Sequence, residues 1–191
     1  MSQAKAILEF WFGQPDEPSY GKSRQFWFSK QPDFDEELRT RFLKDYQQAA
    51  AGYLDEWINS PDTCLALILL LDQFPRNMFR GTSEAFATDW EALSAAQHAV
   101  AQGWNREFLP VQRWFIYLPF EHSENLVHQR ECVKLFQQLS HDPDCASAIE
   151  YAIYHLEIIE RFGRFPHRNS ILGRSSTPEE KEFLRQPNSL L

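Results

Sequence analysis

The chain has 191 residues, with 19 basic and 27 acidic side chains and a net charge of −8. That length suits one domain with a real core, and a pI near 5.2 argues against nucleic acid, which needs a clustered basic surface. The longest uninterrupted apolar run, Cys64–Leu71, is eight residues against about 20 for a membrane span.

Leucine (20) and alanine (16) far outnumber valine (4) and threonine (5), a balance that favours helices over sheets. Residues 4–12 form a short helical pattern stopped by Gly13, and two prolines and a glycine make residues 14–23 a loop. Asp33 and Glu36 have capping-box spacing, followed by Phe34, Leu38, Phe42, Tyr46 and Ala49 at helical intervals up to Gly52. Ser60-Pro61 opens a helix reaching about Gln73 that is apolar on every side, so it belongs at the centre. A helix from Thr82 or Ser83 to Gln102 carries a stripe of alanines interrupted by Asp89, with Gly103 behind it. Residues 110–118 form an aromatic helix ending at Pro119, and the next helix starts near Ser123 and runs to about Leu139. Asp142-Pro143 begins a helix ending at Gly163, and Thr177-Pro178-Glu179-Glu180 caps a last short one.

About eight helices with short links, no convincing strand and no composition break predict a single helical domain over 1–191. Gln73-Phe74-Pro75-Arg76-Asn77 with Arg80-Gly81 is echoed by Arg164-Phe165-Pro166-His167-Arg168-Asn169 with Gly173-Arg174. Two similar helix-to-helix corners are the sort of repeat from which an α-solenoid is stacked.

The stretch 161–178 has four arginines and no acid, leaving −12 on the rest of the chain. Arg164, His167, Arg168, Asn169 and Arg174, with Arg76, Asn77 and Arg80 from the first corner, are the candidate contacts for an anion, because guanidinium offers a planar fork of donors. The structural alternative is that these arginines close helix ends and pair with acids. Asp72 and Asp89 lie on apolar faces, where a carboxylate needs a partner, and read as structural ion pairs; Arg76 is four residues from Asp72, but Pro75 is expected to break the helix between them. Glu121, His122 and Glu124 supply an acid–base set; His122, placed at the start of a helix, is expected to be neutral and able to act as a base. His155 shares a stripe with Tyr151, Ile158 and Phe162 and reads as a half-buried structural histidine. Glu124 and His128 do not have the spacing of a metal site, and neither a metal nor a cofactor is expected. Cys64, Cys132 and Cys145 lack a C-x-x-C pair and read as buried thiols of a cytoplasmic protein. Lys5 and Glu9 bracket the first apolar stretch, unlike a signal peptide.

These motifs carry a resemblance. Ile7–Gly13, Leu71–Asn77, Leu118–Glu124 with Gln129, Arg161–Asn169 and Leu172–Glu180 are similar to the bacterial domain-of-unknown-function family 924. The resemblance covers nearly the whole chain and implies a tetratricopeptide-like α–α superhelix, but no activity.

The expected function is therefore a helical binding module with an arginine-lined site for an anionic small molecule or an acidic peptide group. The alternative is a hydrolase or transferase acting on a phosphorylated or carboxylated metabolite through a His/Glu pair, and a third possibility is a scaffold whose polar motifs only fix corners.

Overall fold

The computed structural model describes residues 2–186. Among them the helices are α1 (Gln3–Phe12), α2 (Pro32–Ala50), α3 (Pro61–Leu71), α4 (Gln73–Met78), α5 (Asp89–Ala101), α6 (Pro110–Glu121), α7 (Leu126–Gln137), α8 (Ala146–Phe162) and α9 (Pro178–Phe183), joined by loops and 3₁₀ turns, with no strand. The chain is all-helical, of the α–α superhelix class.

Helix α3 is the centre. Pro61 takes its first position, where a missing N–H costs nothing. Every side chain from Cys64 to Leu71 is buried, because α1, α2, α5 and α6 all pack on this one helix. From α5 come Ala92, Ala95, Ala96 and Ala99, all buried, whose small side chains let the two helices lie close. Trp11, Phe74 and Phe115 fill the core beside α3, and Trp27 Nε1 donates to the Trp11 carbonyl at 3.0 Å. Further along, α6, α7 and α8 stack in succession.

Two prolines behave differently from the sequence expectation. Pro75 does not separate Asp72 from Arg76. It sits in the first turn of α4, where no intrahelical N–H is needed, so the chain turns at Asp72 and becomes helical again at once. Pro119 lies inside α6, which continues to Glu121. His122 is consequently the C-cap of α6, its N–H donating to Leu118 at 2.8 Å, and not the start of the next helix. Helix α7 begins three residues later than expected, capped by the Asn125 side chain. The helix expected from Thr82 or Ser83 to Gln102 is divided: a 3₁₀ turn over Ser83–Phe86 comes first, and Asp89 opens α5. Helix α2 starts at Pro32 behind Gln31, with no side-chain cap, rather than at an Asp33/Glu36 box.

The C-terminal end follows its sequence cues. Gly163 closes α8 at φ +67°, a left-handed conformation that suits glycine. Thr177 and Glu180 form a reciprocal capping box on α9. Ile158, Ile159, Phe165 and Phe183 make a small second core there.

Candidate functional site

A cleft of about 440 Å³ opens where the turn between α3 and α4 meets the C-terminal end of α6. Its polar lining includes Gln73, Arg76, Asn77, Arg80, Glu121, His122 and His155; its apolar lining includes Trp27, Phe28, Trp114, Phe136 and Tyr151. A larger groove of about 770 Å³ beside α1 has no histidine, and its lysine, Lys5, is paired with Glu9 at 3.5 Å.

Behind the cleft lies Asp72, fully buried. Its carboxylate accepts from His122 Nδ1 at 2.6 Å and from Gln73 Nε2 at 2.6 Å, and Arg76 Nη1 is 3.2 Å away. Burial alone would raise its pKa, but the Arg76 guanidinium and then His122 overcome this and hold Asp72 well below the usual carboxylate range. An ionised Asp72 can only accept, so Nδ1 of His122 carries the proton. Burial, reinforced by Arg76, lowers the His122 pKa and keeps the ring neutral at pH 7. The cause is not a helix N-terminus, since His122 lies at the carbonyl end of α6. Nε2 of His122 makes no hydrogen bond with any described residue, and its ring lines the cleft.

Of the sequence candidates, Arg76, Arg168, Asp72, Asp89 and His122 come together. Thr88 Oγ1 donates to the Leu71 carbonyl at 2.6 Å, which ties the start of α5 to the end of α3. That places Asp89 in a two-pronged pair with Arg76, at 2.7 and 3.0 Å. Arg168 approaches the same Asp89 at 3.6 Å and donates to the His122 carbonyl at 3.0 Å. Its guanidinium lies 4.8 Å from the Phe86 ring and 4.5 Å from the Phe165 ring. Asn77 and Arg80 share another acid, Asp35, at 2.7 Å for Asn77 and 3.1 Å for Arg80.

The remaining candidates do not join them. Arg164 grips Glu180 at 2.6 and 2.9 Å, and Asn169 donates to Glu180 and to Ser176. Arg174 grips Glu124 at 2.6 and 2.9 Å, and Glu124 also accepts the Phe165 N–H at 2.8 Å. Glu124 is therefore taken up by a structural pair, and the acid beside His122 is Asp72. His167 Nδ1 is buried without a hydrogen-bond partner among the described residues. Of the arginines that the sequence offers for an anion, Arg76 and Arg80 line the cleft, and most of the set already face a carboxylate of their own.

The bacterial family of unknown function DUF924 matches residues 7–188. The chain belongs to the DUF924 family. A solved structure of the protein of unknown function ATU0120 from Agrobacterium tumefaciens is similar, at 40% identity and a TM-score of 0.85, covering 96% of this chain and 97% of that one. No curated protein matches.

In this DUF924 chain the floor of the cleft holds two more titratable groups. Glu121 is buried, and burial, with a contribution from Asp72, pushes its pKa up to about 8. His155 Nδ1 is 3.5 Å from Glu121 but hydrogen-bonds the Tyr151 carbonyl at 2.8 Å; burial takes its pKa down to about 3 despite that bond. No group of three His, Cys, Asp or Glu among the described residues has the geometry to hold a metal. The aromatic lining has no sign in the sequence, because no spacing shows that Trp27, Phe28 and Trp114 meet at a cleft; among them Phe28 is 60% exposed. Sequence reasoning assigned His155 to structure alone, since a lone histidine on an apolar stripe carries no sign that a cleft lies beside it.

Proposed function

We propose that this protein is an acid–base enzyme, a hydrolase of small carboxylated or phosphorylated metabolites, with His122 as its base. One observation carries the reading: His122 gives Nδ1–H to a buried carboxylate while Nε2 is left without a protein partner at a cleft of ligand size. A base oriented by an acid through its other ring nitrogen is the arrangement by which enzymes activate a hydroxyl or water. Asp72 also stabilises the imidazolium that forms when Nε2 takes a proton.

The arginine-lined anion site enters this reading through Arg76 and Arg80, which line the cleft. Arg80 uses Nε and Nη2 on Asp35, leaving Nη1 as a hydrogen-bond donor for a polar group of the ligand. The pairs Arg164–Glu180 and Arg174–Glu124 favour the scaffold role for the 161–178 stretch. The successive stacking of α6, α7 and α8 supports a tetratricopeptide-like superhelix. Three free, buried cysteines support a reducing, cytoplasmic setting. No helix among the described residues is long and apolar enough to cross a membrane.

The test is a panel of small carboxylic and phosphate esters assayed with the wild-type protein and with His122→Ala, whose fold is checked by circular dichroism. Turnover by the wild type that falls at least about a hundredfold in His122→Ala supports the reading. Turnover of no compound, or equal rates in both proteins, refutes it.

A further inference from the structure

Glu121 is the titratable group of the cleft that the His122–Asp72 pair leaves unused. It is nearly buried, and no lysine or arginine lies within ion-pair distance of it. Three groups face it: Asp72 from the end of α3, His155 from α8 and Cys132 from α7. None is a cation at neutral pH. The nitrogen of His155 that lies 3.5 Å from Glu121, Nδ1, already donates to the Tyr151 carbonyl. A carboxylate in this position has no balancing charge, so the group stays a neutral carboxylic acid, which can donate a hydrogen bond or a proton. Its chain neighbour His122 has the opposite character, a neutral ring with a free lone pair.

The charges around the cleft narrow the substrate. Arg76, Arg80 and Arg168 are matched by Asp72, Asp89 and Asp35. With Glu121 and His122 both neutral, no positive charge is left over for a phosphate dianion at the reacting centre. An uncharged acyl centre fits.

We propose that the cleft cleaves a carboxylic ester, with Glu121 giving its proton to the departing oxygen and His122 taking one from the attacking water. This rests on the acid–base reading above. The water oxygen bonds to the acyl carbon as one of its protons passes to Nε2. The carbon–oxygen bond to the alcohol then breaks, its electron pair stays on that oxygen, and the oxygen takes the Glu121 proton. The imidazolium and the Glu121 carboxylate are reset by proton exchange with solvent, and the products are one acid and one alcohol.

Ethyl butyrate, 4-nitrophenyl butyrate and 4-nitrophenyl phosphate separate the possibilities. An ethoxide leaving group needs a proton from a general acid, whereas nitrophenolate departs largely unaided. The expected result is cleavage of both butyrates and not of the phosphate, with Glu121→Gln slowing the ethyl ester at least about tenfold more than the aryl ester. Equal slowing of both esters, preference for the phosphate, or a wild type inert toward both butyrates overturns the ester assignment. His122→Ala as active as the wild type overturns the acid–base reading instead, so the two failures are distinct. Independently of turnover, carbon-13 spectra of protein labelled at glutamate carboxyls should show one group titrating near pH 8 that is absent from Glu121→Gln. A wild type with every glutamate titrating below pH 6 removes the proton donor and overturns the proposal.

Discussion

His122 Nδ1 lies 2.6 Å from Asp72 Oδ1, though 50 residues separate the two in the chain. The contact joins the end of α3 to the end of α6, and the same carboxylate satisfies Gln73 and Arg76. Replacing Asp72 by alanine removes the acceptor for His122 and Gln73 and leaves Asp89 as the one carboxylate on Arg76. We expect a loss of about 1.5–3 kcal/mol of stability, the usual cost of removing a charged hydrogen-bond partner. Urea unfolding measures it, and a loss below about 1 kcal/mol would show that Asp72 is not the hub of this network.

Arg174 belongs to the second corner, away from the cleft lining. Arg174→Ala breaks a two-pronged pair with Glu124 and a bond to the Phe165 carbonyl. The expected outcome is a loss of about 1.5–3 kcal/mol with ligand binding or turnover in the cleft unchanged. A variant that keeps its stability but loses cleft activity would return Arg174 to the functional set.

Stability should depend on pH through two buried groups of opposite sign. His155 has a folded pKa of about 3, below its unfolded value near 6.5, so between these values the unfolded chain binds the extra proton. Stability therefore rises with pH through that window. Glu121 has a folded pKa of about 8, above its unfolded value near 4.3, so the folded chain holds the extra proton. Its contribution is complete at low pH and is lost as pH climbs through the folded value. Above about pH 6.5 only the second effect remains, and stability should fall by roughly 1 kcal/mol per pH unit up to about pH 8. Glu121→Gln should flatten that fall in unfolding curves taken between pH 6.5 and 8.5; a fall of the same slope in the variant would assign it to another group.

The three thiols should be inert in the native protein. All are buried, and burial pushes Cys64 up to about 12 and Cys132 well above its ordinary value. Reaction with an aromatic disulfide reagent should be negligible until urea unfolds the chain, when all three react. Fast labelling of any one before unfolding would show an opening that the packing does not.

The helical plan was legible because its punctuation is local. Ser60-Pro61, Gly163 and Thr177-Pro178 each mark a helix end through backbone chemistry that needs no tertiary context. Pro75 and Pro119 misled, because a proline breaks a helix or not according to its position in the turn, and that position depends on where neighbouring helices force the chain to start. Misplacing Pro119 put His122 at the wrong end of a helix. The candidate site was half legible. Asp72 stood out as a carboxylate on an apolar helix and His122 as a corner histidine, but their pairing is a tertiary contact that no spacing records. The acid-free stretch from 161 to 178 pointed to an anion site, whereas its charge is balanced by Glu179 and Glu180, which follow it directly, and by Asp89 and Glu124 from farther back in the chain.

Nitrogen-15 spectra of histidine-labelled protein at pH 7, with His122→Gln used to assign the signals, test the central claim most directly. We expect a neutral His122 with its proton on Nδ1 and a bare Nε2, the form able to take a proton from a substrate. A His122 protonated on both nitrogens at that pH would be a plain ion pair with Asp72 fixing a corner, and would contradict it.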